Sequence, residues 1–175
     1  ASLQFASSMF VSCAALKESP ALNTTSQLLQ TNLMFQACNC LETVEIFNTS
    51  SVTTMAQMFD LCSALKTVPL FNTQSVASMA NMFSSCNVLE TVPLFDTQSV
   101  TNMGSMFSGC VNFKGIPAFN LPLINDMNNM FSSCFPMVEI PAIDLPNPIN
   151  LSNVSNNAYT DTLKINFAIL HVQSA

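Results

Sequence analysis

The sequence predicts an α/β solenoid of about six repeats, each made of a short strand, a turn and a short helix. The motif Met-Phe-x-x-Cys occurs six times, spaced by 25 residues once and by 24 residues four times. Between successive motifs lie one apolar series with strand character and another with helical spacing. A fixed period of this length indicates coils that bury their apolar faces only against neighbouring coils.

The predicted strand follows each motif, as the repeat from Ser85 to Phe107 illustrates. Its first apolar series contains Leu89, Val92 and Phe95, and residues 91–95 are rich in strand-forming side chains. Pro93 excludes a helix at this point and has no backbone N–H to donate to a neighbouring strand. It must therefore lie at a strand boundary or with its nitrogen facing away from the paired strands.

The predicted helix completes the repeat. Apolar residues recur at i, i+3, i+6, i+7 and i+10, which is the spacing of one helix face. They are Val100, Met103, Met106, Phe107 and Cys110. Asp96, Thr97 and Ser99 precede them and are residue types that cap a helix start. Parallel stacking would place strands on one side of the coil and helices on the other.

In such a stack, each repeat position becomes a column of like side chains about 4.8 Å apart. The cysteine column comprises Cys13, Cys38, Cys62, Cys86, Cys110 and Cys134. The Asn/Asp column comprises Asn48, Asn72, Asp96, Asn120 and Asp144. We expect both to be structural ladders, with the Asn and Asp side chains bonding backbone groups of adjacent coils.

A further column alternates in charge: Lys17, Glu42, Lys66, Glu90 and Lys114. Stacked in register, each charge would lie beside opposite charges, which contribute about 0.2–1 kcal/mol per pair. Chance alternation within one column is the competing explanation. These five residues are the predicted interaction face.

Composition excludes several classes of function. Only 8% of residues are charged and the formal net charge is −6, so nucleic acid and anionic membrane surfaces would be repelled. Uninterrupted apolar runs reach only four or five residues, whereas a membrane span needs about 20. We therefore expect neither nucleic-acid binding nor membrane insertion.

No catalytic, metal or cofactor site is predicted. His171 is the single histidine, the cysteines form a column without zinc-binding spacing, and no Ser-His-Asp set or phosphate loop can be assembled. The column thiols are expected to be buried and free. Cys40 lies off the column, where pairing with Cys38 or an external thiol is the alternative to a free state.

Two further patterns are ambiguous. The residues Phe47, Phe71, Phe95 and Phe119 form either a core column or an exposed aromatic stripe, and the core is favoured because an exposed stripe is hazardous for a monomer. Acceptor sequences for N-glycosylation stand at Asn23, Asn48, Asn150 and Asn153, a number that chance alone would give.

The repeat fades after Pro146, which divides the chain into a solenoid over 1–146 and a degenerate segment over 147–175. Residues 159–173 alternate between apolar and polar, which is a strand signature. The apolar members are Leu163, Ile165, Phe167 and Ile169. This strand either caps the last coil or pairs with another chain as an assembly strand.

The repeat string resembles the BspA-like leucine-rich-repeat surface proteins, in the branch whose repeats carry Met-Phe-x-x-Cys. The best copies are Phe71-Asn72-Thr73-Gln74-Ser75-Val76 and Phe95-Asp96-Thr97-Gln98-Ser99-Val100, each leading to Met-Phe. The resemblance covers residues 3–146 and implies a leucine-rich-repeat-like, right-handed α/β solenoid displayed outside the cell. It brings no catalytic motif with it. The first repeat departs from the pattern, with Ser19-Pro20-Ala21-Leu22 where Val-Pro-x-Phe is expected.

Two functions follow as expectations. The first is a non-enzymatic extracellular module for adhesion or interaction, whose partner is a protein or glycan on another surface. The alternative is a structural subunit whose copies stack end to end into a filament or surface layer. Low charge and the lack of an evident polar cap on the first coil favour this alternative.

Overall fold

Parallel backbone hydrogen bonds stack the coils in the computed structural model, which describes residues 4–22 and 28–134 and two strands beyond them. The coils are numbered here by their motifs, from Met9 in coil 1 to Met130 in coil 6. Parallel bridges join equivalent positions of all six coils: Phe5 to Gln30, Gln30 to Thr54, Thr54 to Ser78, Ser78 to Asn102, and Asn102 to Asp126. The chain is therefore a repeat solenoid whose coils stack with a register of one repeat.

The predicted helices do not form in the described coils, where the motif is built from tight turns. In coil 3, the N–H groups of Met58, Asp60 and Cys62 each donate to the carbonyl three residues earlier, at 3.0–3.2 Å. The intervening N–H groups of Gln57, Phe59 and Leu61 donate to coil 4 at 2.8–2.9 Å. A helix would direct every N–H along its own axis, leaving none for the next coil.

The turns require backbone conformations that a helix does not contain. Two residues per motif have positive φ, such as Gln57 at 58° and Leu61 at 63°. Glycine fills one of these positions, Gly109, at 75°. These residues turn the chain so that its N–H groups alternate: one bonds within its own coil and the next bonds to the following coil.

The predicted strand over 91–95 is extended without being paired as a strand. Phe95 N–H donates to the carbonyl of Pro93 at 2.9 Å, and Pro93 has no N–H of its own to offer a neighbour. The backbone bonds between coils therefore lie mainly at the Met-Phe-x-x-Cys turns and at the bridge positions before them.

The core is formed by whole columns rather than by a single cluster. The second motif residue supplies Phe35, Phe59, Phe83, Phe107 and Phe131, whose rings stack with centroids 5.6–5.9 Å apart. All five are fully buried. Phe47, Phe71, Phe95 and Phe119 are buried as well, so the core alternative holds for that column.

Two strands follow the described coils. Strand β1 spans Ile140–Leu145 and strand β2 spans Ile165–Ile169, and they pair in parallel as a two-stranded sheet. Ile140 pairs with Ile165 and Leu145 with Ile169, with an irregularity between Ile140 and Ile143. By the repeat spacing, β1 corresponds to residues 92–97 of coil 4, and β2 pairs with it in parallel.

Candidate interaction face

An exposed face runs along the stack beside the charge column. In coil 3, Phe71 and Thr73 are buried, whereas Leu70 and Asn72 beside them are exposed. Because successive side chains of an extended segment point to opposite sides, the core side fixes which residues face outward. We call the exposed positions from the charge column to the Gln74 position the interaction face.

An aliphatic stripe, defined as Ile46, Leu70 and Leu94, lies at the centre of this face. These side chains are 65%, 58% and 60% exposed. They occupy the same position in coils 2, 3 and 4, and Ala118 continues the column in coil 5. Coil stacking thus aligns three large apolar side chains on the outside of a protein with few charges.

Shallow grooves separate the stripe residues of successive coils. One, of about 430 Å³, lies between coils 3 and 4, and another, of about 280 Å³, lies between coils 4 and 5. Their walls combine aliphatic, amide and carboxylate groups: Leu70, Asn72, Gln74, Leu94, Asp96, Gln98, Ala118 and Asn120. The mixture suits contact with a partly apolar surface more than enclosure of a small ligand.

The charge column lies at one border of the face. Lys66 forms an ion pair with Glu42, and Lys114 forms one with Glu90 at 2.5 Å. The hydrogen bond and charge of Lys66 lower the pKa of the Glu42 carboxyl, and Lys17 adds a smaller effect in the same direction. Backbone bonds of 2.8–3.0 Å also join neighbouring members of the column.

The Asn/Asp column bonds within its own coil, which corrects the expected bonding between coils. Side-chain oxygens of Asn48, Asn72 and Asp96 accept the N–H two residues later, at 3.0–3.2 Å. These short side chains reach their own turn more readily than the next coil. Asn120 cannot form this bond, because Pro122 has no N–H. For Asp144, in β1, only the backbone is described.

Threonines next to that column make the bonds between coils instead. Thr49, Thr73 and Thr97 are buried, and each Oγ1 donates to a carbonyl of the following coil at 2.6–2.9 Å. This threonine column was not predicted from the sequence. Its signal there is a Thr directly after the Asn/Asp position in three successive repeats.

The cysteine column lies inside the solenoid. Cys38, Cys62, Cys86, Cys110 and Cys134 are buried, and each thiol donates to a Phe carbonyl of the preceding coil at 2.9–3.2 Å. Burial raises their pKa values, to about 12 for Cys62 and Cys134. All are free thiols. Cys13, in coil 1, and the off-column Cys40 are exposed free thiols.

Several predicted residues fall in other parts of the chain. Asn48 is exposed, whereas the sequons at Asn23, Asn150 and Asn153 lie outside the described residues, as does Leu163. Ile165, Phe167 and Ile169 belong to β2, which pairs with a strand of its own chain. Their side chains are not described.

The aliphatic stripe was not predicted from the sequence either. The predicted interaction face was the charge column, and the predicted apolar stripe, if one existed, consisted of phenylalanines. A core role for Phe71 already implies that Leu70, its neighbour in an extended segment, points outward. Strand alternation was therefore the available signal.

Neither a metal centre nor a membrane span is found among the described residues. No group of three His, Cys, Asp or Glu side chains there is arranged to hold a metal ion. In the same part of the chain, no helix has the length and apolar character needed to cross a bilayer.

Comparison with known proteins assigns the chain to a family. The model of the family described as "Mycoplasma protein of unknown function, DUF285" matches residues 4–116 and 30–144. These overlapping matches cover well over half of the 175 residues. The chain belongs to this family. No curated protein sequence is significantly similar to it.

One solved structure is similar in its architecture. It is a leucine-rich repeat protein from Bacteroides ovatus ATCC 8483, with 18% sequence identity and a TM-score of 0.43. The match covers 81% of this chain and 52% of that protein, so this chain spans about half its length. Similarity of this extent does not bear on function, and the solenoid assignment rests on the hydrogen bonds between coils.

Proposed function

We propose that this chain is a non-enzymatic interaction module that works outside the cell or at its surface, in adhesion or in contact with a protein or glycan. The observation that carries this proposal is the aliphatic stripe. Three large apolar side chains, each more than half exposed, are aligned on one face. Exposed apolar patches of this kind mark interaction sites.

The surroundings of the stripe support binding rather than catalysis. Grooves lined by amide, carboxylate and aliphatic groups alternate with the stripe residues, and four of the five charges at the border form ion pairs with each other. Such a face offers shape, hydrogen bonds and apolar area, which are the components of a recognition surface. The resemblance of the repeats to BspA-like surface proteins supports a location outside the cell.

An array of immobilised glycans, surface proteins and the chain itself tests the binding role. The wild-type chain should bind at least one member, and Leu70→Ser/Leu94→Ser should lose that binding while keeping its fold, because both side chains are exposed. Val111→Ser is the matched control, since Val111 is 42% exposed but lies off the face. An array on which the wild type binds nothing, or on which the stripe variant binds equally well, would contradict the proposal.

The location is tested on cells that produce the protein. Antibodies against the chain should stain intact cells as strongly as permeabilised ones. Staining that appears only after permeabilisation would place the protein inside the cell and overturn the extracellular part of the proposal.

A further inference from the structure

Under a two-fold rotation, the exposed Glu45 of coil 2 would lie opposite Pro117 of the second copy, whereas four charges of the interaction face are self-complementary. Their signs alternate along the stack, with Glu42, Lys66, Glu90 and Lys114 in coils 2 to 5. A two-fold axis lying in the face, midway between coils 3 and 4, places coil 3 of one copy opposite coil 4 of the other. Lys66 then meets Glu90 of the second copy, and Glu42 meets Lys114 of the second copy.

The ion pairs within each copy fit the same arrangement. The pair Glu42–Lys66 of one copy would face the pair Lys114–Glu90 of the other. Each of the four charges would then have opposite charges as its nearest neighbours, both within its own copy and across the contact. Like charges directly opposite each other would be unfavourable, and this symmetry avoids them.

The other columns of the face satisfy the same rotation. Leu70 meets Leu94 of the second copy, and Ile46 meets the exposed Ala118, so the whole aliphatic stripe is covered. In the Asn/Asp column, the single carboxylate among coils 2 to 5, that of Asp96, meets the amide of Asn72. An isologous contact requires this self-complementarity of one surface patch.

We infer that the partner of the interaction face is a second copy of this chain, bound face to face with the two stacks antiparallel. This inference rests on the proposed function, because it names the partner of the same face. The contact would be homotypic, so chains displayed on two opposing surfaces could join them without a different receptor.

The size of the face indicates how strong the contact should be. Four coils at about 4.8 Å and the nine residues from Lys66 to Gln74 at about 3.3 Å give a patch of roughly 19 by 30 Å. Two such patches bury roughly 1,000 Å², near the lower limit for a specific interface. A weak dimer that forms as concentration rises is therefore expected.

Sedimentation velocity over a wide concentration range tests the inference with the full chain. The wild type should pass from monomer to dimer, and Leu70→Ser/Leu94→Ser should remain monomeric. Val111→Ser should dimerise like the wild type, and circular dichroism should show that all three proteins are folded alike. A wild type that stays monomeric, a stripe variant that still dimerises, or assemblies larger than a dimer would overturn the inference.

Charge exchange tests the predicted pairing itself. Lys66→Glu and Glu90→Lys should each weaken self-association at least several-fold, because like charges then face each other at two symmetry-related places. In an equimolar mixture, the carboxylate introduced at position 66 of one variant faces the ammonium introduced at position 90 of the other. The mixture should therefore form heterodimers, and a mixture that associates no better than either variant alone would overturn this geometry.

The two proposals fail separately. A monomeric wild type whose binding on the array depends on the stripe would exclude the homotypic partner and leave the interaction face intact. A dimer that depends on the stripe, together with an array on which nothing but the chain itself is bound, would support the homotypic partner alone.

Discussion

At the level of single residues, the cysteine thiols act as donors that tie each coil to the one before it. The thiol of Cys62 lies 3.0 Å from the carbonyl of Phe35, and the other buried members repeat this contact. Desolvation raises the pKa of Cys62 from its ordinary value of 9.0 to about 12. Because the folded state keeps these thiols protonated at pH values at which the unfolded chain ionises them, the free energy of unfolding depends on pH.

The first prediction is that the protein loses stability steeply in alkali. Above pH 9 the unfolded chain releases thiol protons that the native chain retains until about pH 12, so the unfolded state binds fewer protons and the free energy of unfolding falls. Below pH 9 this contribution is fully present. Cys62 and Cys134 should each contribute a slope of up to about 1.4 kcal/mol per pH unit within that window. Urea unfolding at a series of pH values measures it.

Two variants assign the effect to buried thiols rather than to lysine or tyrosine. Cys62→Ala should be less stable than the wild type at pH 7 and should have a shallower decline above pH 9. Cys40→Ala removes an exposed thiol and should keep the wild-type decline. Identical slopes for Cys62→Ala and the wild type would contradict the prediction.

The second prediction concerns a leucine in an unfavourable backbone conformation. Leu61 has φ of 63° and is 46% exposed, and coils 4 and 5 carry Ser85 and Gly109 at its position. The left-handed region costs most L-residues about 1–2 kcal/mol, and Asn tolerates it better. Leu61→Asn should raise the free energy of unfolding by about 0.5–1 kcal/mol in urea unfolding.

Val111→Asn provides the comparison for Leu61→Asn. Val111 is similarly exposed but is not among the residues with positive φ, so its replacement should bring no gain. Equal effects of the two substitutions would mean that loss of exposed apolar surface, rather than backbone conformation, explains the change.

At the level of the element, two further kinds of hydrogen bond join neighbouring coils besides the thiol bonds. Backbone bonds do so at the turns, and the buried threonine column adds a side-chain bond. Coil 5 carries the buried Leu121 at the threonine position. The side-chain ladder therefore ends there, and apolar packing takes its place.

The third prediction tests the threonine ladder. Thr97→Val keeps the shape of the side chain but removes the 2.6 Å bond from Oγ1 to the carbonyl of Asn120. It should lower the free energy of unfolding by about 1–2 kcal/mol. Thr91→Val, at an exposed position of the same coil, should change it by less than about 0.5 kcal/mol. Equal effects at the two positions would contradict the role of the bond.

The element level is also where prediction from sequence succeeded and failed. The period and the apolar columns predicted the stacking register correctly, because each Cys, Met or Phe side chain packs against the same repeat position of the next coil. The spacing of Val100, Met103 and Met106 matched a helix face, yet turns with i to i+3 bonds place the same residues inward. Apolar spacing reports which residues are buried and not how their backbone N–H groups are bonded, so the two structures could not be distinguished.

The site was predictable only in part for a related reason. The charge column was visible as alternating letters, and two of its neighbouring pairs form ion pairs. The aliphatic stripe contains Ile, Leu and Leu beside buried Phe47, Phe71 and Phe95. The residue type alone does not show whether an aliphatic side chain points into the core or out to solvent. Only the direction of the backbone between Val68 and Phe71 identifies Leu70 as exposed.

At the level of the whole molecule, stability is distributed along a stack in which each coil contacts only its neighbours. Phe83 of coil 4 stacks on Phe59 and Phe107, with both centroid distances at 5.7 Å. Phe10 of coil 1 stacks on Phe35 at 5.1 Å and is only half-buried. In a solenoid, the cost of a substitution should therefore depend on how many coil interfaces the residue supports.

The fourth prediction compares these two phenylalanines, which have the same position in the repeat and the same substitution. Phe83→Ala leaves a cavity between two interfaces and should cost about 3–5 kcal/mol, whereas Phe10→Ala should cost less than half as much. Urea unfolding followed by circular dichroism measures both, and the slope of the transition shows whether the coils still unfold together. If the protein unfolded as one indivisible core, the cost of each substitution would follow the burial of the phenylalanine alone, and its position along the stack would have no influence.

The breadth of the unfolding transition gives a second measure of the same property. Because each coil is joined only to its neighbours, Phe83→Ala should separate the stack into two weakly coupled halves and broaden the transition. Phe10→Ala should shift the transition without changing its slope.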